Sequence, residues 1–206
     1  MARHAVLIVS TGTANMASIR IGLERQGAEV TVAQNPAQIL EAQRVVLPGV
    51  GALGAAMKKL VREGFVHAIR ERVASGKPTL AICLGFQLLC EGSEESPGIP
   101  GIGAISGRAE RFAETVRVPQ IGWNRVNPSQ GSVLLAPGYA YFANSFRLEK
   151  APPGWAYATS SYGGIFIAAL EKGGLLCCQF HPELSGAYGQ TLLRRWLQLP
   201  PSKGGG

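Results

Sequence analysis

Cys83 stands where the sequence changes period. Pro78 opens a short apolar run through Leu80, Ala81 and Ile82 that reads as a buried strand. Beyond Cys83, Leu84, Leu88 and Leu89 recur at helical spacing, with Gln87 and Glu91 on another side. A cysteine at an abrupt strand-to-helix turn projects from the carboxyl end of a sheet. It also lies beside a helix N-terminus, which favours an anion and so favours the reactive thiolate. Ala81 and Gly85 flank it as small-x-Cys-x-Gly, the layout of a nucleophile elbow. Such a nucleophile needs a base, and the candidates are His4, His67 and His181. His4 is expected at a frayed N-terminus before the first strand. His67 falls with Glu63, Arg70 and Glu71 on the polar side of a helical segment whose stripe is Leu60, Val61, Phe65, Ala68, Ile69 and Val73. His181 differs, because it follows the apolar run 175–180 and so also emerges at a strand end. Pro182 stops that strand, and Glu183 is placed to orient the imidazole and fix its tautomer. The chemistry expected is acyl transfer through a thiol. Taken singly, Cys83 also reads as a packed core cysteine and His181 as a loop histidine. The two strand-end signals together favour catalysis.

The elements that must position these residues alternate. Residues 5–10 read as a first strand, central because apolar throughout, followed by the small-residue turn 11–14. Asn15 is placed to cap a helix with the stripe Met16, Ile19 and Leu23, ending near Gly27. Residues 29–33 and 44–47 read as the next strands, and the alternation is that of an α/β, doubly wound, mostly parallel sheet with flanking helices. Ligands in such sheets bind beyond the carboxyl ends of the strands. Those ends carry Pro48-Gly49-Val50-Gly51 and Cys83. The glycines permit close backbone approach and suit either a plain turn or amides aimed at an oxyanion. The amide of Leu84, just after the nucleophile, is the usual first donor. A phosphate cradle does not fit, since no Gly-Lys-Ser/Thr ending follows. Residues 92–103 read as a surface loop. Short strands are expected at 108–112, 123–126, 139–142, 155–160 and 165–169, either extending the sheet or forming a smaller antiparallel region. A last helix begins at Ser185 with Leu192, Leu193, Trp196 and Leu197 inward, and 200–206 read as a disordered tail after a single domain of residues 1–199.

Composition bounds the rest. The chain has 206 residues, 46% hydrophobic and 16% charged, with net charge +7, ordinary for one globular domain. No apolar run reaches a membrane span and no secretory leader is seen, so a cytoplasmic protein without membrane contact is expected. The basic residues, among them Arg20, Arg25, Lys58, Lys59, Arg70, Arg72, Arg108, Arg111, Arg194 and Arg195, are scattered. They read as a soluble basic surface and not as a nucleic-acid stripe; a complementary acidic partner is the other reading. Cys83, Cys90, Cys177 and Cys178 form no metal-ligand spacing, so neither metal nor disulfide framework is expected, and Cys177 and Cys178 point to opposite faces of their strand.

Several stretches carry a resemblance. Ile82-Cys83-Leu84-Gly85-Phe86-Gln87 and Gln179-Phe180-His181-Pro182-Glu183 resemble the two signatures of class I glutamine amidotransferases. Pro48-Gly49-Val50-Gly51-Ala52-Leu53-Gly54, Ser93-Glu94-Glu95, Pro119-Gln120-Ile121-Gly122-Trp123-Asn124 and Tyr141-Phe142-Ala143-Asn144-Ser145 narrow it. In this order they are similar to the glutaminase-subunit family of imidazole glycerol phosphate synthase, over nearly the whole chain. The resemblance implies a glutaminase needing no cofactor, with Cys83, His181 and Glu183 as its triad. It implies Val50 as the second oxyanion donor, and Gly49, Gly51, Gln87, Asn144 and Ser145 around the glutamine. Asn144 and Ser145 equally suit ordinary turn residues. It also implies a heterodimer with a cyclase subunit of (β/α)8 barrel fold, to which ammonia passes for imidazole glycerol phosphate and AICAR formation in histidine biosynthesis. Asn15 and Trp123 would lie near that interface, although Trp123 also reads as a core tryptophan. One domain of this size is shorter than the roughly 250 residues of such a barrel, so the acceptor site is expected on another chain.

The chain departs from the family pattern at Gln120 and Asn144, where histidine is frequent, and at Leu184, where lysine is frequent. Ser10-Thr11-Gly12 stands for Asp-Tyr-Gly, and Ala81 for the elbow glycine. Three other readings stay open. They are a stand-alone cysteine hydrolase or peptidase, a glutaminase serving anthranilate or pyridoxal phosphate synthesis, and a non-catalytic subunit on the same fold.

Overall fold

The structure, a computed structural model, describes residues 4–12 and 15–200. Its frame is a sheet with nine strands in the order β2-β1-β3-β4-β12-β11-β10-β7-β8. Strands β1 (His4–Ile8), β2 (Ala28–Val32), β3 (Val45–Gly49), β4 (Thr79–Cys83) and β12 (Leu175–Cys178) run parallel. Strands β11 (Ile165–Lys172), β10 (Ala156–Ser161), β7 (Gln120–Pro128) and β8 (Gly138–Asn144) continue it antiparallel. The short strands expected between 108 and 169 therefore mostly extend the main sheet. The smaller sheet holds only β5 (Gly92–Ser93), β6 (Arg108–Arg111) and β9 (Phe146–Arg147).

The period-two pattern of the parallel strands divides the core. One face carries Val6, Ile8, Val46, Leu80, Ile82 and Cys178, covered by α1 (Met16–Glu24) and α6 (Gly186–Leu197). The other carries Leu7, Leu47, Ala81 and Cys177, covered by α2 (Pro36–Glu41), α3 (Leu53–Arg62), α4 (Phe65–Ala74) and α5 (Leu84–Leu89). Cys177 and Cys178 indeed face opposite ways, and all four cysteines are buried and free.

Several expectations need correction. β1 is flanked by β2 and β3 but lies one place in from the edge; the centre is β12. His4 belongs to β1 and pairs with Ala28 instead of preceding the strand. The single helical segment around His67 is two helices, because Gly64 takes φ 71 between them and ends α3. Val61 consequently faces solvent, while His67 is exposed as expected. Helix α5 is buried all round, so Gln87 has no polar side to sit on, and Glu91 lies beyond the helix. The expected surface loop 92–103 is anchored at both ends by β5 and by the fully buried Ile102. Arg72 is not surface charge: it is buried and donates to the carbonyls of Ile39, Ala42 and Pro78 at 2.7–2.8 Å. Thr13, Ala14 and the tail 201–206 lie outside the described residues.

Candidate active site

The parallel strands deliver their loops to one end of the sheet. Gly49 pairs with Cys83 across β3 and β4, so the glycine loop and the elbow meet. At Cys83 the backbone takes φ 53, ψ −110, and among the described residues no other non-glycine has positive φ. Such a backbone costs about 1–3 kcal/mol and persists only where the surroundings impose it. Here the packing of α5 on β3 imposes it and Gly85 permits that packing, because a Cβ on Gly85 would lie 1.8 Å from the Leu47 carbonyl oxygen.

Beside the elbow is a cavity of about 290 Å³. Cys83, Leu84, Val50, Gly51, Gln87, Asn144, Ser145 and His181 line it, together with Glu95, Pro119, Ala143 and Phe146. Leu84 begins α5, so its amide has no carbonyl one turn back. The Val50 amide has no backbone acceptor among the described residues. Gly49 is not among the residues that line the cavity, and a Cβ there would meet the Leu84 side chain at 2.8 Å, so the missing side chain allows close packing. Asn144 donates from Nδ2 to the Phe146 carbonyl at 3.0 Å and leaves Oδ1 without a partner among the described residues.

His181 enters from the far strand of the pair. β12 lies against β4, and the 3-10 turn Pro182–Leu184 swings Glu183 back so that His181 Nδ1 and Glu183 Oε1 are 2.8 Å apart. Both side chains are buried. Burial alone would lower the imidazole pKa. The hydrogen bonds to Cys83 and Glu183, and the negative charge on both, outweigh it and raise it to about 10. The arrangement suits a thiolate beside an imidazolium, with the carboxylate on the far nitrogen. No group of three or more His, Cys, Asp or Glu side chains suited to a metal ion occurs among the described residues.

Four supports were not assigned a role from sequence. The Glu95 carboxylate accepts from the Leu53 amide at 2.7 Å, and Ser96 Oγ accepts from that of Gly54 at 3.0 Å. Together they cap α3, whose own N-cap is Ala52, and so fasten the glycine loop to the segment after α5. Tyr141 and Ser185 hold the His181 turn. The His181 amide donates to the Tyr141 carbonyl at 2.9 Å, the Tyr141 amide to Ser185 Oγ at 2.9 Å, and Ser185 Oγ to the His181 carbonyl at 2.6 Å. Glu95 and Tyr141 fall in stretches that carry the resemblance, and Ser185 lies near His181 along the chain, but none of these signals gave a role. The backbone role of Tyr141 follows only once β8 is placed. Asn15 caps α1 as expected, its side chain accepting from the Ser18 amide at 3.3 Å. Trp123 is exposed, which rules out the core reading; neither it nor Asn15 lines the cavity.

Fold and site together are those of a class I glutamine amidotransferase. The sequence profile described as Glutamine amidotransferase class-I matches residues 7–198. A crystal structure of a glutamine amidotransferase superposes with TM-score 0.75 over 94% of this chain and 97% of its own, at 21% identity. The imidazole glycerol phosphate synthase subunit HisH of Symbiobacterium thermophilum is 41% identical over 195 residues, covering 93% of this chain and 92% of that one. In Arabidopsis thaliana, the chloroplastic imidazole glycerol phosphate synthase hisHF is 38% identical over 207 residues, which are 96% of this chain but 35% of that longer one. The chain belongs to the HisH family of imidazole glycerol phosphate synthase subunits, and it is a glutamine-hydrolysing enzyme.

Proposed function

We propose that Cys83, His181 and Glu183 hydrolyse the side-chain amide of glutamine and that the ammonia passes to a cyclase subunit of (β/α)8 barrel fold in histidine biosynthesis. The observation that carries this is the buried His181–Glu183 pair at 2.8 Å, with His181 and Cys83 together on the cavity wall. The thiolate attacks the amide carbon, and the carbonyl becomes an oxyanion facing the Leu84 and Val50 amides. His181 gives its proton to the departing nitrogen, which leaves as ammonia. A water then loses its proton to His181 and attacks the thioester, and glutamate leaves as the Cys83 thiolate returns. Gly51, Gln87, Asn144 and Ser145 bound the pocket for the rest of the substrate, and no cofactor enters any step.

The partner reading rests on a surface. Register puts Ile121 and Trp123 of β7 on the same sheet face as Tyr139 and Tyr141 of β8, and the turn that ends in Leu184 packs against β8. Ile121 is 68% exposed, Trp123 57%, Tyr139 58% and Leu184 44%, a concentration that an isolated surface rarely leaves open. Trp123 stacks edge-on against Tyr141, whose backbone holds the His181 turn. The patch thus borders the cavity. The test is ammonia release from glutamine by the chain alone and with the cyclase subunit plus its nucleotide substrate or an analogue, with Cys83→Ala in parallel. Release that needs the loaded partner and disappears in Cys83→Ala supports the reading. A demonstrated complex with no release in any condition sinks it.

A further inference from the structure

Gln179 is fully buried, lies one residue beyond β12, and is used by nothing described so far. Its backbone amide donates to the Ala168 carbonyl at 2.8 Å, which fixes where its side chain starts. The side chain then reaches across to the elbow. Nε2 lies 3.7 Å from Cys83 Sγ, and Oε1 accepts from Gln87 Nε2 at 3.0 Å. Gln87 Nε2 also donates to the Phe146 carbonyl at 3.2 Å. Both hydrogens of Gln87 are therefore committed, which settles that Gln179 presents its nitrogen to sulfur.

The sulfur's other neighbours give this contact its meaning. The Ala143 carbonyl, at 3.9 Å, can take a hydrogen bond from the thiol but has nothing to offer a thiolate. In the proposed reaction the His181 imidazolium is the other donor open to the thiolate, but it must turn its proton toward the leaving nitrogen. A sulfur anion as buried as that of Cys83 needs a donor that stays in place.

We propose that Gln179 is that donor: its Nε2 holds the Cys83 thiolate in position for attack while its Oε1 locks Gln87 against the pocket wall. The catalytic part rests on Cys83 being the nucleophile. The contact itself does not, and the experiment separates the two.

Gln179→Met keeps the volume and removes both polar ends, while Gln87 retains its bond to Phe146. Gln179→Glu keeps an acceptor for Gln87 and removes the donor to sulfur. Each is compared with the native chain, in complex with the cyclase subunit, for kcat, KM, thermal unfolding and the rate at which iodoacetamide alkylates Cys83, followed by peptide mass. Cys90, Cys177 and Cys178 are buried, with burial pushing the first thiol up to about 12 and the other two well above the ordinary value. Of the four cysteines, Cys83 lines the cavity and the others do not, so alkylation of the folded protein belongs to Cys83. Gln179→Met is expected to slow alkylation and kcat together by roughly tenfold, as for a lost hydrogen bond to a charged group, with KM nearly unchanged. Gln179→Glu should slow alkylation at least as much. Native alkylation rates in both variants overturn the proposal. A raised KM with native alkylation also overturns it, and would place Gln179 only behind Gln87. Should Gln179→Met fail to fold, Gln179→Asn, which shortens the amide away from sulfur, carries the same expectation. Full release of ammonia by Cys83→Ala would sink the triad, yet alkylation would still read the sulfur contact.

Discussion

At the scale of single residues, the balance at His181 sets a pH signature. Its folded pKa is raised from 6.5 to about 10, so the stability drawn from the imidazolium is complete below about 6.5 and is lost as pH rises through about 10. Glu183→Gln removes the charge that helps raise it. Thermal unfolding should show this variant about 2 kcal/mol less stable than the native chain below pH 6.5. The gap should close as pH approaches 10, and a gap that widens there would refute the assignment. A direct titration of the imidazole should find its pKa lowered in the same variant. The residues proposed to react were legible because each stands at a break in period, Cys83 after an apolar run and His181 before a proline. Gln179 was not, since a glutamine at a strand end has no pattern of its own, and its role exists only when β12 lies beside β4.

At the scale of elements, two tight fits decide whether the elbow forms. Gly85→Ala drives a methyl into the Leu47 carbonyl, so α5 must lift from β3. We expect a loss of about 3 kcal/mol or more by denaturant unfolding, with glutaminase activity lost at temperatures where the variant is still folded. Arg72 is the second. It joins α2, α4 and the start of β4 through the carbonyls of Ile39, Ala42 and Pro78 and the hydroxyl of Thr79. Burial lowers its pKa to about 10, yet it stays charged at neutral pH. Arg72→Met takes the donor away from the Ile39 and Ala42 carbonyls, while Pro78 keeps the Val45 amide, and should cost about 3 kcal/mol while sparing kcat of the folded fraction. The parallel elements were readable from periodicity. Arg72 was misread because composition counts charges without placing them, and Gly64 because the apolar stripe continues across the helix break.

At the scale of the whole molecule, the apolar face of β7 and β8 should be separable from the fold. Trp123→Glu alters an exposed side chain, so unfolding should stay unchanged. Binding to the cyclase subunit, measured by titration, should weaken roughly thirtyfold or more. Undiminished affinity would move the docking face elsewhere. The sheet's order carries one more consequence. β12 is the strand that joins the parallel half to the antiparallel half, and it comes almost last in the chain. While the protein is being made on the ribosome, β4 waits with an open edge until Leu175–Cys178 emerge. Only then does His181 arrive beside Cys83. On the proposed mechanism a nascent chain therefore carries a nucleophile with no base, and the two halves are sewn together in the same event that arms the thiol.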